Sequence, residues 1–294
     1  MLPLSIQPLK TLLKFLIGKP THILCKLLKK RIKNVLYKLG VNKLRFPLKK
    51  LVFYLENKKR IRQNLLHQHQ FKCDFYHYYE IKMKSLEPKW LKDHRTYFSS
   101  DNRGFGEDAF HAAWKDIIET FRPKSALEIG VYRGQTLSLW QLIAEKRNMT
   151  IEIWGASPLS NIGDSVSEYI HINYEADIAK NFAFFGLKPP KLFQTKSTER
   201  VFSEFIRKRK WDLIYIDGNH DFEVVYSDYM LALANLELGG ILCLDDSSLY
   251  LDFPIMGQFK GHSGPSQVVS KFAMTDLNYL MTVGHNNFFQ KVRK

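Results

Sequence analysis

SALEIGVYRG, residues 125–134, decides the fold. Its first seven residues are a short, nearly continuous apolar run, as in a strand buried on both faces. Gly130 then permits a tight turn and close backbone approach, and Gly134 opens a helical pattern over residues 134–146 that carries Leu137, Trp140, Leu142 and Ile143. Working outward, strands are expected at 151–156, 192–195, 211–216 and 241–244. Helices are expected at 174–185, 199–209, 222–236 and 266–273, with Gly239 and Gly240 closing the third. Residues 279–283 and 288–292 read as a hairpin around Gly284-His285-Asn286. Strands alternating with helices predict an α/β fold: a doubly wound, mostly parallel seven-stranded sheet with a terminal antiparallel hairpin. In such sheets ligands bind beyond the carboxyl ends of the strands, so the polar residues there carry the chemistry.

Charge separates this region from what precedes it. Residues 1–72 hold 18 of the 44 Lys/Arg but only one of the 29 acids, Glu56. Leu9, Leu12, Leu13 and Leu16 recur at helical spacing. Ile23, Leu24, Leu27, Leu28, Ile32, Val35, Leu36 and Leu39 form a longer stripe opposed by lysines, and a third piece follows Pro47. The expected organisation is a basic amphipathic helical extension at 1–66, a connection at 67–100 and a working domain at 101–294. The extension has three readings: a helical pack with a solvated lysine face, a helix lying on an anionic membrane surface, or a nucleic-acid contact. Sparse aromatics among the lysines argue against the last. Pro3, Pro8, Lys10 and Lys14 interrupt any signal-peptide core, no run reaches the roughly 20 apolar residues of a membrane span, and the three cysteines form no framework. The expected location is cytoplasmic, peripheral to a membrane on the second reading. His67, His69 and His77 have no matching carboxylates and are expected to face solvent or to pack.

At the strand ends, Glu128 precedes the two glycines, an arrangement suited to a ligand bearing an amine or positive charge; the GxGxxG fingerprint of pyrophosphate binders is absent. The fourth strand ends Asp217-Gly218-Asn219-His220 and the fifth Asp245-Asp246. Three convergent carboxylates with no nearby lysine call for a cation or a proton, and oxygen donors of this kind suit Mg²⁺ or a similar divalent ion. His220, three residues after Asp217, is placed to take a proton from a hydroxyl.

ALEIGVYRG and DLIYIDGNHDFEVVYSDYMLALANLELGGILCLDD resemble the metal-dependent branch of class I S-adenosylmethionine-dependent methyltransferases, nearest the macrocin-type sugar O-methyltransferases, with cephalosporin hydroxylase proteins as neighbours. The resemblance covers about residues 101–294. It implies an S-adenosylmethionine site lined by Glu128, Gly130 and Gly134, Mg²⁺ on Asp217, Asp245 and Asp246, His220 as general base, and a sugar, glycan or small-molecule hydroxyl as acceptor. GHSGPSQVV (residues 261–269) also looks family-like, without an assigned role. One departure stands out: Ser157 occupies the position after the second strand where the family carries an acid for the ribose hydroxyls, and a serine cannot accept two hydrogen bonds as a carboxylate does. Three alternatives stay open: an oxidative enzyme on the same scaffold, a non-catalytic protein with this fold, and an RNA methyltransferase.

Overall fold

The computed structural model describes residues 45–67 and 70–292. The first two helical pieces of the basic extension, and His69, lie outside the described residues. The chain divides into two compact units, Met1–Leu55 and Glu56–Lys294. Helix α1 (Arg45–Leu65) corresponds to the third expected piece; Pro47 falls in its first turn, where a missing N–H costs nothing. Among the described residues no helix is long and apolar enough to cross a membrane.

Residues 67–100 are more than a connection. They form α2 (Tyr76–Ser85) and α3 (Lys89–Ser99) inside the larger unit. Tyr78, Tyr79, Met83, Leu91 and Phe98 are buried there, and both helices pack on α4 (Asp108–Phe121). The buried positions lie at helical spacing, but Tyr78, Tyr79, Lys82 and His94 fill several of them, and such residues hide an apolar stripe in the sequence. His67 is exposed and its Nδ1 meets Asn278 Nδ2 at 2.7 Å, while His77 is half-buried beside Glu80.

The alternating region folds as expected. Strands β1 (Ser125–Ile129), β2 (Glu152–Ser157), β3 (Lys191–Gln194), β4 (Trp211–Ile216) and β5 (Leu236–Leu244) run parallel. Helices α5 (Gln135–Lys146), α6 (Tyr174–Phe184), α7 (Arg200–Ile206) and α8 (Phe222–Asn235) connect them. After β5 come α9 (Ser263–Val268), a π-helical turn (Val269–Ala273) and a last short turn, α10 (Met274–Asp276). β6 (Asn278–Val283) and β7 (Asn286–Gln290) complete a seven-stranded sheet of order β3-β2-β1-β4-β5-β7-β6, with β7 antiparallel to both neighbours. One boundary differs from the sequence reading. Gly239 and Gly240 do not close α8 but lie inside β5, which starts at Leu236 because Leu236 pairs with Trp211 across a bulge.

β1 is buried along its whole length, which is why its sequence is a continuous apolar run. On one face of the sheet Trp211, Ile214, Ile216, Tyr229, Leu242 and Leu244 share a core with Val268 and Phe289. Elsewhere Trp114 meets Trp140, Tyr215 and Phe288 edge-on, at centroid distances of 5.0–5.1 Å. The chain winds outward through β1, β2 and β3, then returns to place β4 beside β1. At that reversal the strand ends diverge and a crevice opens.

Candidate active site

The crevice is a cavity of about 800 Å³ lined by the ends of β1, β2, β4 and β5 and by the loops that follow them. Backbone hydrogen bonds align those ends: Gly130 N donates to Ala156 O (2.9 Å), Asp217 N to Ile129 O (2.8 Å) and Asp245 N to Ile216 O (3.0 Å). Gly130 has φ +95°, and a Cβ there would stand 2.1 Å from Asp217 O, so only glycine lets the β1 and β4 ends approach this closely. Gly134, at φ +76°, precedes α5.

Glu128, Gly130, Gly134, Ser157, Asp217, His220, Asp245 and Asp246 all line this one cavity. Glu128 is buried, and its Oε2 has no hydrogen-bond partner. Burial, reinforced by Asp245, pushes its carboxyl up to about 8. Burial also lifts Asp217 well above the usual carboxylate range, with Asp245 and Glu128 adding to it. Like charges so placed raise one another's pKa. Ser157 is differently engaged: its hydroxyl donates to Val131 O (3.1 Å) and accepts from Leu159 N (3.4 Å). It therefore holds the loops after β1 and β2 together at the edge of the cavity.

Three residues that carry no site role in the sequence reading complete the constellation. Asp164, on the loop after β2, accepts from His220 N (2.9 Å) and His220 Nδ1 (2.7 Å) through Oδ2, and from Val166 N and Ser167 N through Oδ1. His220 Nε2 then points at Asp246 Oδ2, 3.0 Å away. Burial opposes charge on this imidazole, but the bonds to Asp246 and Asp164 outweigh it and raise His220. Burial would also raise Asp246, yet His220 and His285 hold it well below the usual range. His285, in the β6–β7 turn, places Nδ1 2.8 Å from both Asp245 Oδ1 and Asp246 Oδ1. Asp245 further accepts from Asn286 Nδ2 (2.8 Å) and Tyr215 OH (2.8 Å). His262 Nε2 lies 3.7 Å from Asp246 Oδ2, and its ring meets that of His220 edge-on at 4.4 Å.

The stretch at 261–269 thus acquires a position. A Cβ at Gly261 would stand 2.0 Å from Asp246 O, and one at Gly264 would stand 2.1 Å from His220 O. Both glycines let this segment seat directly on the loops that follow β4 and β5. Its glycines were a usable signal, and so was His285 between Gly284 and two asparagines. Asp164 had none, since the loop after β2 lacks periodicity and its aspartate finds His220 only through folding.

Residues 127–247 match the family model described as "Methyltransferase domain". No curated protein matches the chain. Among solved structures it is similar to cofactor-bound Rv0187 from MTB (TM-score 0.50, 10% identity, covering 77% of this chain and 100% of that one). It is also similar to a putative caffeoyl-CoA O-methyltransferase from Staphylococcus aureus (0.49, 13%, 80% and 99%). A third is an O-methyltransferase from Bacillus cereus in complex with SAH (0.48, 12%, 72% and 96%). At such identities the likeness is one of fold. The domain match falls on the stretch running from β1 to just past β5, whose strand ends line the cavity.

Proposed function

We propose that this methyltransferase domain is an S-adenosylmethionine-dependent, divalent-metal-assisted O-methyltransferase acting on a hydroxyl of a sugar, glycan or small molecule. The observation that carries it is the convergence of a cofactor-type end on β1 with a carboxylate-and-imidazole end on β4 and β5. The orphaned Oε2 of Glu128 suits the cofactor's ammonium group, and the close approach at Gly130 leaves a cradle that a Cβ would fill. Of the three expected acids, Asp245 and Asp246 offer donor atoms close enough to share a divalent ion, with Asp217 crowding Asp245 beside them; such an ion would lower the pKa of a coordinated hydroxyl by several units. The protein's own part is orientation and proton transfer. Asp164 holds the Nδ1 side of His220 and turns Nε2 toward the carboxylates, where it accepts the acceptor's proton. With both nitrogens against carboxylates, the ring described above is the imidazolium that proton acceptance leaves.

The test is methyl transfer from labelled S-adenosylmethionine to a panel of glycan and small-molecule hydroxyl acceptors. Turnover should produce S-adenosylhomocysteine and cease in EDTA. Full activity in metal-free protein would sink the metal-assisted reading. No cofactor binding at millimolar concentration by calorimetry would favour a non-catalytic protein. One observation favours a second reading, an oxidative enzyme on this scaffold: His220, His262 and Asp246 offer ligand atoms within 4.8 Å of one another, the two-imidazole, one-carboxylate set that suits ferrous iron. Substrate oxidation without S-adenosylhomocysteine would select it.

A further inference from the structure

We infer that His285 is a nitrogen ligand of the divalent metal, joining Asp245 and Asp246 in a mixed oxygen–nitrogen site that takes a transition ion such as Mn²⁺ or Zn²⁺ in preference to Mg²⁺. The inference rests on the metal-assisted reading above and adds to it the ligand set and the class of ion.

The geometry supports this in three ways. First, one donor atom from each of the three side chains lies within 4.8 Å of the others, and Nδ1 stands 2.8 Å from one oxygen of each aspartate. Two donors at right angles around an ion, each at about 2.0–2.2 Å, are themselves about 3 Å apart, so this spacing is that of adjacent corners of one coordination sphere. Second, the ring's other nitrogen is turned to a carboxylate: Nε2 lies 3.7 Å from Glu107 Oε1, and the second oxygen of Glu107 accepts from Tyr76 OH. Metal-bound histidines carry a carboxylate partner on the outer nitrogen, and Glu107 stands where a small shift would supply one, leaving the inner nitrogen to ligate. Third, the ring is fixed in place. His285 is 8% exposed, wedged edge-on between Phe110 (4.7 Å) and Phe259 (5.1 Å), and its carbonyl accepts from Ser247 N (2.9 Å). The antiparallel pairing of Leu244 with Asn287 holds this turn beside Asp245.

The ligand chemistry then selects the ion. Mg²⁺ favours an all-oxygen shell, whereas imidazole donors favour the later first-row ions. His220 stays outside the set, because Asp164 directs it to proton transfer.

The full chain, stripped of metal and reloaded, gives the test. Calorimetry should show Zn²⁺ or Mn²⁺ binding at least about 10-fold more tightly than Mg²⁺. Pulsed electron paramagnetic resonance of the Mn²⁺-loaded protein should show an imidazole ¹⁴N coupling. That coupling should persist in His220→Ala and His262→Ala and vanish in His285→Gln, with Mn²⁺ affinity falling roughly 10–100-fold. A wild-type Mn²⁺ signal without any ¹⁴N coupling overturns the inference without recourse to a variant. So does a coupling that survives in His285→Gln or disappears in His262→Ala. In those cases the ion remains bound and the metal-assisted reading stands. If no divalent ion binds the wild type at millimolar concentration, both fall together.

Discussion

At the scale of single residues, His220 and Asp164 act as a pair. Asp164 accepts from Nδ1–H, which on the proposed function leaves Nε2 to take the acceptor's proton. Removing the base by His220→Ala should lower kcat by about 10²–10⁴. Asp164→Asn is the sharper test. The amide NH₂ would donate to Nδ1 and place the ring proton on Nε2, the wrong tautomer for a base. The expected result is a kcat loss of up to about 10⁴ with the KM for cofactor unchanged, read in a steady-state assay. A variant retaining most of its kcat would show that Asp164 only ties down its loop. Gly130→Ala forces a Cβ to within 2.1 Å of Asp217 O at a positive φ, so it should abolish cofactor binding in calorimetry or unfold the domain in a thermal melt.

At the scale of elements, a pair of buried histidines ties three helices together. His94 of α3 meets His111 of α4 (Nδ1 to Nε2, 3.1 Å) and Ser138 of α5 (Nε2 to Oγ, 3.0 Å). Burial holds both rings neutral, His94 well below its ordinary range and His111 down to about 3, with Arg95 adding to the effect at His111. In the unfolded chain these imidazoles take up protons below about 6.5. The unfolded state therefore binds more protons between the two values, and the stability these groups contribute is present above about pH 6.5 and lost as pH falls toward 3. The melting temperature should fall as pH is lowered from 7 to 4, and His111→Asn should flatten that fall while melting lower at pH 7. Parallel pH profiles for the two proteins would contradict this. The same helices show what periodicity misses. α2 and α3 bury positions at helical spacing, but Tyr, Lys and His fill several of them, whereas β1 and β4, buried on both faces, are mostly apolar.

At the scale of the whole molecule, the basic segment and the catalytic unit divide near Leu55. If the lysine-rich residues act by lying on an anionic surface, the full chain should float with liposomes containing acidic lipid, and a chain beginning at Glu56 should not. Raising salt from 0.05 to about 0.5 M should release the full chain, since each surface lysine contributes about 1 kcal/mol that salt screens. Equal flotation of the two chains would exclude a membrane role for the segment. RNA binding with a steep salt slope would point instead to a nucleic-acid acceptor.

The sequence by itself determined the layered α/β architecture, the order of its strands along the chain and the acids and glycines at their ends. These are local properties: burial on both faces demands apolar runs, and tight turns demand glycine. Only the tertiary structure decided which polar groups face one another. Asp164 reaches His220 across 56 residues and His285 reaches Asp245 across 40, and no local pattern encodes such meetings. They arise because β4 returns beside β1 and β7 inserts beside β5, which brings distant turns to one edge of the sheet. Like-charged carboxyls gathered there are tolerated only with a proton or a cation among them, and the fold supplies the imidazoles that meet that need.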